Sequence, residues 1–180
     1  VLGPSGSGKS TLLALAAGLD EPSAGEVRAF GQPLARLGEP ELARFRAREL
    51  AIVFQSSNLF SALSARENVA AALGLAGRDG DPDASLSGFG LAERSRHRAA
   101  ALSGGEQQRV AIAAAAVRRP RLVLADEPTA ELDVRNEKVV LDALSRLRGE
   151  AESTVVVVTH SDRVAEAMDR VIEMRDGRAA

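Results

Sequence analysis

Gly3-Pro4-Ser5-Gly6-Ser7-Gly8-Lys9-Ser10, followed by Thr11, carries the spacing G-x-x-x-x-G-K-[ST] near the start of the chain. Glycine-rich backbone curls its N–H groups around an anion where a helix begins, and a lysine at this spacing reaches the β- and γ-phosphates of a nucleotide. Ser10 adds a hydroxyl, a hard oxygen of the kind Mg2+ takes beside phosphate oxygens and water. An incidental glycine turn is the plain alternative. Apolar Val1-Leu2 before the loop and a Leu-rich stretch after it supply the strand, loop and helix context that favours a nucleotide.

Two further groups of residues have chemical potential. Asp126 and Glu127 close the aliphatic run Leu122 to Ala125, which puts carboxylates at the end of a strand. Ligands of open α/β folds bind at that edge, and the pair could serve one Mg2+ and one water; read alone, it is equally a helix cap or a surface acidic pair. Leu102-Ser103-Gly104-Gly105-Glu106-Gln107 precedes an Ala-rich stretch. Ser103 with Glu106 fits a capping box, yet two glycines exceed what a cap needs, and glycine backbone at a helix start makes a second anion site.

The elements that must position these residues read as one α/β domain with a mostly parallel sheet flanked by helices. Leu122 to Ala125 and Thr154 to Val158 are aliphatic runs suited to strands buried on both faces, and Leu50 to Phe54 is a third, ending at Gln55. Val140, Leu144 and Leu147 recur at helical spacing, so 134–149 reads as the crossover helix between two strands. Ser10 to Ala17, Glu39 to Leu50 and Ser64 to Gly74 read as helices, the last opened by a Ser64/Glu67 capping box, and Gly25 to Phe30 reads as a short strand before a turn. The middle third, about residues 56–118, is expected to form a helical subdomain, with an Arg-rich helix after Leu91 that carries His97 as a solvated residue.

Bulk properties exclude several roles. With 180 residues, 45% of them hydrophobic, the chain has material for one core, and its apolar runs fall far short of the roughly 18 residues of a membrane span. A net charge of −2 offers no overall basic field for nucleic acid, and the absence of cysteine removes disulfides and thiolate metal sites. Only Val1 and Leu2 precede the loop where a whole strand is expected, so the chain reads as lacking its N-terminal strands.

On the run Leu102 to Gln107, joined to the loop at Gly3 to Thr11, the chain resembles the ATP-binding domain of ABC proteins. The likeness extends over nearly the whole chain, with a Q-loop at Gln55, a Walker B strand at Leu122 to Asp126, a D-loop at Asp133 and a switch histidine at His160. It implies ATP and Mg2+ as cofactors, the metal held by Ser10, Asp126 and Gln55. Glu127 would polarise the attacking water, His160 contact the γ-phosphate, and Gln55 link the site to a membrane partner. Ser103, Gly104, Gly105 and Glu106 would close over the ATP of a second ATP-binding subunit in a head-to-tail dimer. Taken alone, His160 is a strand-end histidine and Asp133 a helix N-cap.

The same resemblance implies an ATPase at the cytoplasmic face of the cell membrane, peripheral to transmembrane permease subunits and without nucleic acid. The segments around Gln55, Asn68 and Glu127 to Asp133 are similar to the lipoprotein-release and macrolide-export branch. The adenine-stacking aromatic of the family falls before Val1. Glu131 stands where the family often has a small or neutral residue, and Ala114 where an arginine is usual. A soluble ABC ATPase acting on nucleic acid or ribosomes is the rival from the same residues; a small P-loop kinase would leave the second glycine motif unexplained.

Overall fold

The computed structural model describes residues 1–180 except Ser57, Ala151, Glu152, Ala180 and the side chain of Glu150. In chain order its elements are α1 (Lys9–Ala16), β1 (Arg28–Ala29), β2 (Gln32–Pro33), α2 (Glu39–Glu49), β3 (Leu50–Val53), α3 (Ala65–Ala76) and α4 (Pro82–Gly88). There follow α5 (Gly104–Ala116), β4 (Leu122–Asp126), α6 (Val134–Glu150), β5 (Thr154–Val158), α7 (Asp162–Glu166), β6 (Met174–Arg175) and β7 (Arg178–Ala179).

The three aliphatic runs pair as a parallel sheet in the order β3, β4, β5, with Ile52 beside Leu124 and Leu124 beside Val156. Leu2 extends the sheet past β5 through parallel bridges to Thr159 and Glu173. Its N–H donates to the Ile172 carbonyl at 2.9 Å and its carbonyl accepts from Met174 N at 2.8 Å. Successive residues of a strand face opposite sides, and both faces are covered. Leu50, Leu124 and Val158 pack on Leu13 and Ala17 beside α1, while Ala51, Val123, Ala125 and Val157 pack on Ile112 of α5 and Val140, Leu144 and Leu147 of α6. The result is a three-layer α/β/α fold of the P-loop kind.

A second apolar cluster joins α3, α4 and α5 through Val69, Leu86, Leu91, Leu102 and Val110, with Ala114 partly buried against it. Helix α3 begins at the expected box: Glu67 N donates to Ser64 Oγ at 3.2 Å, and Ser64 N donates to Glu67 Oε2 at 2.7 Å.

Two expectations need correction. The strand expected over Gly25 to Phe30 is only β1, folded back on β2 through a turn in which Phe30 has φ 51 and Gly31 φ 80. The Arg-rich helix expected after Leu91 is absent: 3-10 turns occupy Ala92–Arg94 and Ala99–Ala101, and His97 between them is exposed. The backbone of this segment is recruited elsewhere. The carbonyls of Ser95 and His97 accept from Arg66 N and Ala65 N, both at 2.9 Å, and so satisfy the open N–H groups that begin α3. A continuous helix would turn those carbonyls back on their own segment.

A half-buried cation ties α5 to the sheet. Arg118 Nη2 donates to the carbonyls of Arg46 (3.0 Å), Ala47 (2.6 Å) and Leu50 (2.5 Å), where α2 ends and β3 begins. Burial holds its guanidinium pKa below the ordinary value, with the nearby charge of Arg78 contributing in the same direction. Replacing Arg118 with Met keeps much of the apolar stem and removes this donor from the three carbonyls. Arg118→Met is expected to destabilise the fold by about 1–3 kcal/mol, measured as a lower urea midpoint at unchanged slope.

Candidate active site

The loop before α1 is built by close backbone packing. Gly3 N donates to the Thr159 carbonyl at 3.1 Å, and a Cβ on Gly3 would stand 2.2 Å from the carbonyl oxygen of Met174. Only glycine lets the loop leave the sheet this close to its neighbour. Gly8, at φ 94, caps α1, and Lys9 opens it with a buried side chain. Lys9 Nζ donates to the carbonyls of Gly3 (2.8 Å) and Pro4 (2.9 Å), which holds the ammonium across the loop. Ser7 is buried, and its Oγ has no partner among the described residues.

The carboxylates arrive from β4. Ser10 Oγ donates to Asp126 Oδ1 at 3.2 Å, so a hydroxyl and a carboxylate oxygen stand together at the foot of α1. Two hard oxygens with the nucleotide's phosphates and water suit Mg2+, which seldom takes a cage made only of protein. No group of three or more His, Cys, Asp or Glu that could hold a metal exists among the described residues.

Glu127 follows in a left-handed backbone conformation, φ 44, that non-glycine residues seldom adopt. Both carboxylate oxygens are engaged: Oε2 accepts from Thr159 Oγ1 at 3.0 Å and Oε1 meets His160 Nδ1 at 2.9 Å. Because an ionised carboxylate only accepts, Nδ1 is the protonated ring nitrogen in this contact. Each oxygen keeps a lone pair for a water. The Glu127 side chain is 16% exposed and that of His160 61%, so the carboxylate is sheltered while the imidazole reaches into the cleft. Thr159 escaped the sequence reading; its signal was a hydroxyl at the end of the β5 run, next to the candidate histidine.

These groups share one open cleft of about 790 Å3, lined by Pro4 to Thr11 without Ser7, by Gln55, Asp126, Glu127 and Ala130, and by His160. Of the residues expected to hold nucleotide, Ser103, Gly104, Gly105 and Glu106 are not among those lining it. They begin α5 beside an adjoining groove of about 390 Å3 that Gly104, Gln107 and Gln55 line in part. Ser103 caps its own helix: Glu106 N donates to Ser103 Oγ at 3.3 Å and Ser103 N to Glu106 Oε2 at 2.9 Å. The Ser103 backbone and then Arg94 hold the Glu106 carboxyl below the usual carboxylate range.

The second glycine of this run has a packing role. A Cβ on Gly105 would lie 2.8 Å from Asn136 Oδ1, and Asn136 is itself held by Asp133, whose Oδ1 accepts from Asn136 N at 2.9 Å. Asp133 is therefore the N-cap that the residues alone suggested, and Gly105 lets the start of α5 press against it. Gln108, also unpredicted, is buried on α5 and donates through Nε2 to the Phe54 carbonyl at 2.8 Å, next to Gln55. Its signal was a polar residue on the helix face otherwise occupied by Ile112.

A family model described as ABC transporter matches residues 1–130 of this chain. The chain belongs to the ABC transporter family. This cassette is 44% identical over 182 residues to the macrolide export ATP-binding/permease protein MacB of Azoarcus sp. (strain BH72), an alignment that takes in 98% of the cassette and 28% of that protein. The chain thus spans under a third of the length of this curated relative. Among solved structures it superposes with TM-score 0.87 and 38% identity on the ATP-binding cassette MJ0796 in a dimeric post-hydrolysis state bound to ADP and Pi, covering 99% of this chain and 82% of that one. It also matches cbiO1 from Clostridium perfringens, part of the transporter complex cbiONQ, with TM-score 0.86, 30% identity, and coverage of 99% of this chain and 73% of that one. The cassette is an ATP-binding ATPase.

Removing the Thr159 hydroxyl should loosen Glu127 and also take the acceptor from Ser161 N, which donates to Thr159 Oγ1 at 3.1 Å before α7, so stability is read alongside turnover. Thr159→Val is expected to lower steady-state ATP turnover by on the order of tenfold, the worth of one hydrogen bond to a charged group, checked by phosphate release beside an unfolding curve.

Proposed function

We propose that the cassette powers an export-type membrane transporter by ATP-driven closure of a head-to-tail dimer. The observation that carries this reading is the separation of Ser103 to Glu106 from the cleft containing Lys9, Ser10, Asp126 and Glu127. A helix start with glycine N–H groups is wasted as an anion site unless phosphate comes to it, and a second copy can bring it. The similar cassette MJ0796, solved as a dimer, supports the pairing of two copies.

In this reading Lys9 leaves the carbonyls of Gly3 and Pro4 for the β- and γ-phosphates, which the loop's N–H groups surround. Ser10 and Asp126 would hold Mg2+, with Gln55 as a further oxygen ligand, and the chemistry supplied there would be neutralisation of phosphate charge. Glu127, fixed by Thr159, accepts a hydrogen bond from the attacking water and aligns it with the γ-phosphorus. His160 holds the far side of the same phosphate. Ser103 to Glu106 of the second copy close the site, and loss of the γ-phosphate removes the charge that drew the copies together. Residues 56–118, of which Ser57 lies outside the described residues, form the helical unit that carries this movement, and the surface at Ser56 and at Asn58 to Leu63 meets a cytoplasmic helix of the permease, which selects the cargo. This reading places the cassette at the cytoplasmic face through that contact; the described residues contain no helix long and apolar enough to cross a membrane.

Glu127→Gln is expected to reduce turnover by about 100-fold or more while the protein elutes as a dimer with ATP and as a monomer without it. Normal hydrolysis by this variant would remove Glu127 from its role. Lys9→Ala should weaken ATP binding by at least about tenfold instead, read by equilibrium dialysis. For the partner, the cassette is purified from detergent-solubilised membranes; recovery of nucleic acid with no membrane protein would overturn the transporter reading.

A further inference from the structure

Gln55 stands in the wall between two cavities. One is the cleft of Lys9, Ser10 and Asp126; the other is the groove lined by Gly104, Gln107 and Glu131. Its Nε2 donates to Glu131 Oε1 at 3.3 Å, a contact between residues 76 positions apart. Glu131 borders the groove and is not among the residues lining the cleft, and its side chain touches the cleft's lining at Gln55.

A glutamine amide presents an oxygen at one end and a nitrogen at the other, and its last torsion is broad and nearly two-fold. Packing alone barely distinguishes the two settings, because the ends have almost the same size. A cation accepts only the oxygen. An ionised carboxylate accepts hydrogen bonds and cannot donate one, so Glu131 admits only the setting with the nitrogen turned to the groove. The amide oxygen is then the end left for the cleft. The charge of Glu131 also polarises the amide through its N–H, which raises the electron density on that oxygen. The backbone is held independently, since Gln108 Nε2 donates to the Phe54 carbonyl at 2.8 Å. Glu131 therefore has the orientation of the amide as its task and not the position of the chain.

We propose that Glu131 is a positioning residue that orients Gln55 so that its amide oxygen faces the divalent cation held by Ser10 and Asp126. The inference rests on the reading of Gln55 as a metal contact. Both side chains are exposed, which limits the effect to that of a single solvent-accessible hydrogen bond, on the order of three- to tenfold.

The test measures the affinity of the cassette for a fluorescent non-hydrolysable ATP analogue, once with Mg2+ and once with EDTA, and takes the ratio as the gain due to metal. Glu131→Ala is expected to cut this gain by about three- to tenfold and to leave the affinity in EDTA unchanged. Gln55→Ala should cut it at least as much, and adding Glu131→Ala to that variant should change nothing more, because the carboxylate would have no amide left to orient. A merely structural glutamate would shift the EDTA affinity as well. An unchanged gain in Glu131→Ala, or losses that simply add in the double variant, would overturn the inference while leaving Gln55 as a metal contact. An unchanged gain in Gln55→Ala would remove the metal contact itself, and the inference with it.

Discussion

The parallel register of β3, β4 and β5 is the constraint on which the site depends. Val53 lies beside Ala125, Ala125 beside Val157, and Asp126 beside Val158, so the chain leaves all three strands at one edge. Because side chains alternate faces with period two, a slip of one residue in β4 would turn Asp126 away from Ser10 and send Val123 and Ala125 to the opposite helices. Both faces of β4 are packed, with Val123 and Ala125 against α5 and α6 and Leu124 against α1, so such a slip would misplace every buried side chain of the strand. Residues without chemistry thus set the positions of those that have it. Val1 and Leu2 do the same for the phosphate loop by joining the sheet at Thr159 and Ile172.

Glu127 shows how the site holds a carboxylate without neutralising it with a fixed cation. Its partners are a buried hydroxyl and an imidazole, Thr159 and His160, which come from consecutive residues after β5. Hydrogen bonds of this kind orient the oxygens while leaving lone pairs for water, whereas a bidentate arginine would occupy them. The left-handed backbone at Glu127 belongs to the same device. A backbone conformation of this type costs free energy and persists where its surroundings enforce it, here through the bond from Glu127 N to the Val158 carbonyl at 2.9 Å.

The start of α5, the start of α6 and the end of β3 meet in a compact joint. Helix α5 starts at Gly104, presses Gly105 against Asn136 near the start of α6, and reaches through Gln108 to the backbone at the end of β3. Movement of the α5 start therefore bears directly on Asp133 and on the segment that carries Gln55. Coupling by contiguous packing of this kind requires no long path, since the three segments touch.

Much of this was legible in the amino-acid sequence, because the features concerned are local. The capping boxes at Ser64 and Ser103 and the Asp133 cap rest on neighbours a few residues apart, where chain connectivity already brings the partners within reach, and the phosphate loop and the strands announce themselves by local spacing and aliphatic runs. The Arg-rich segment after Leu91 was misread for the complementary reason: its helical composition lost to the open N–H groups of α3, which only the folded chain brings beside it. Thr159, Gln108 and Arg118 likewise look ordinary in sequence, since each acts on a partner more than 30 positions away. Tertiary structure alone decided that Glu131 meets Gln55. Sequence spacing determines hydrogen bonds within a helical turn; contacts between distant segments follow from sheet register and from the packing of helices over it, which no short motif encodes.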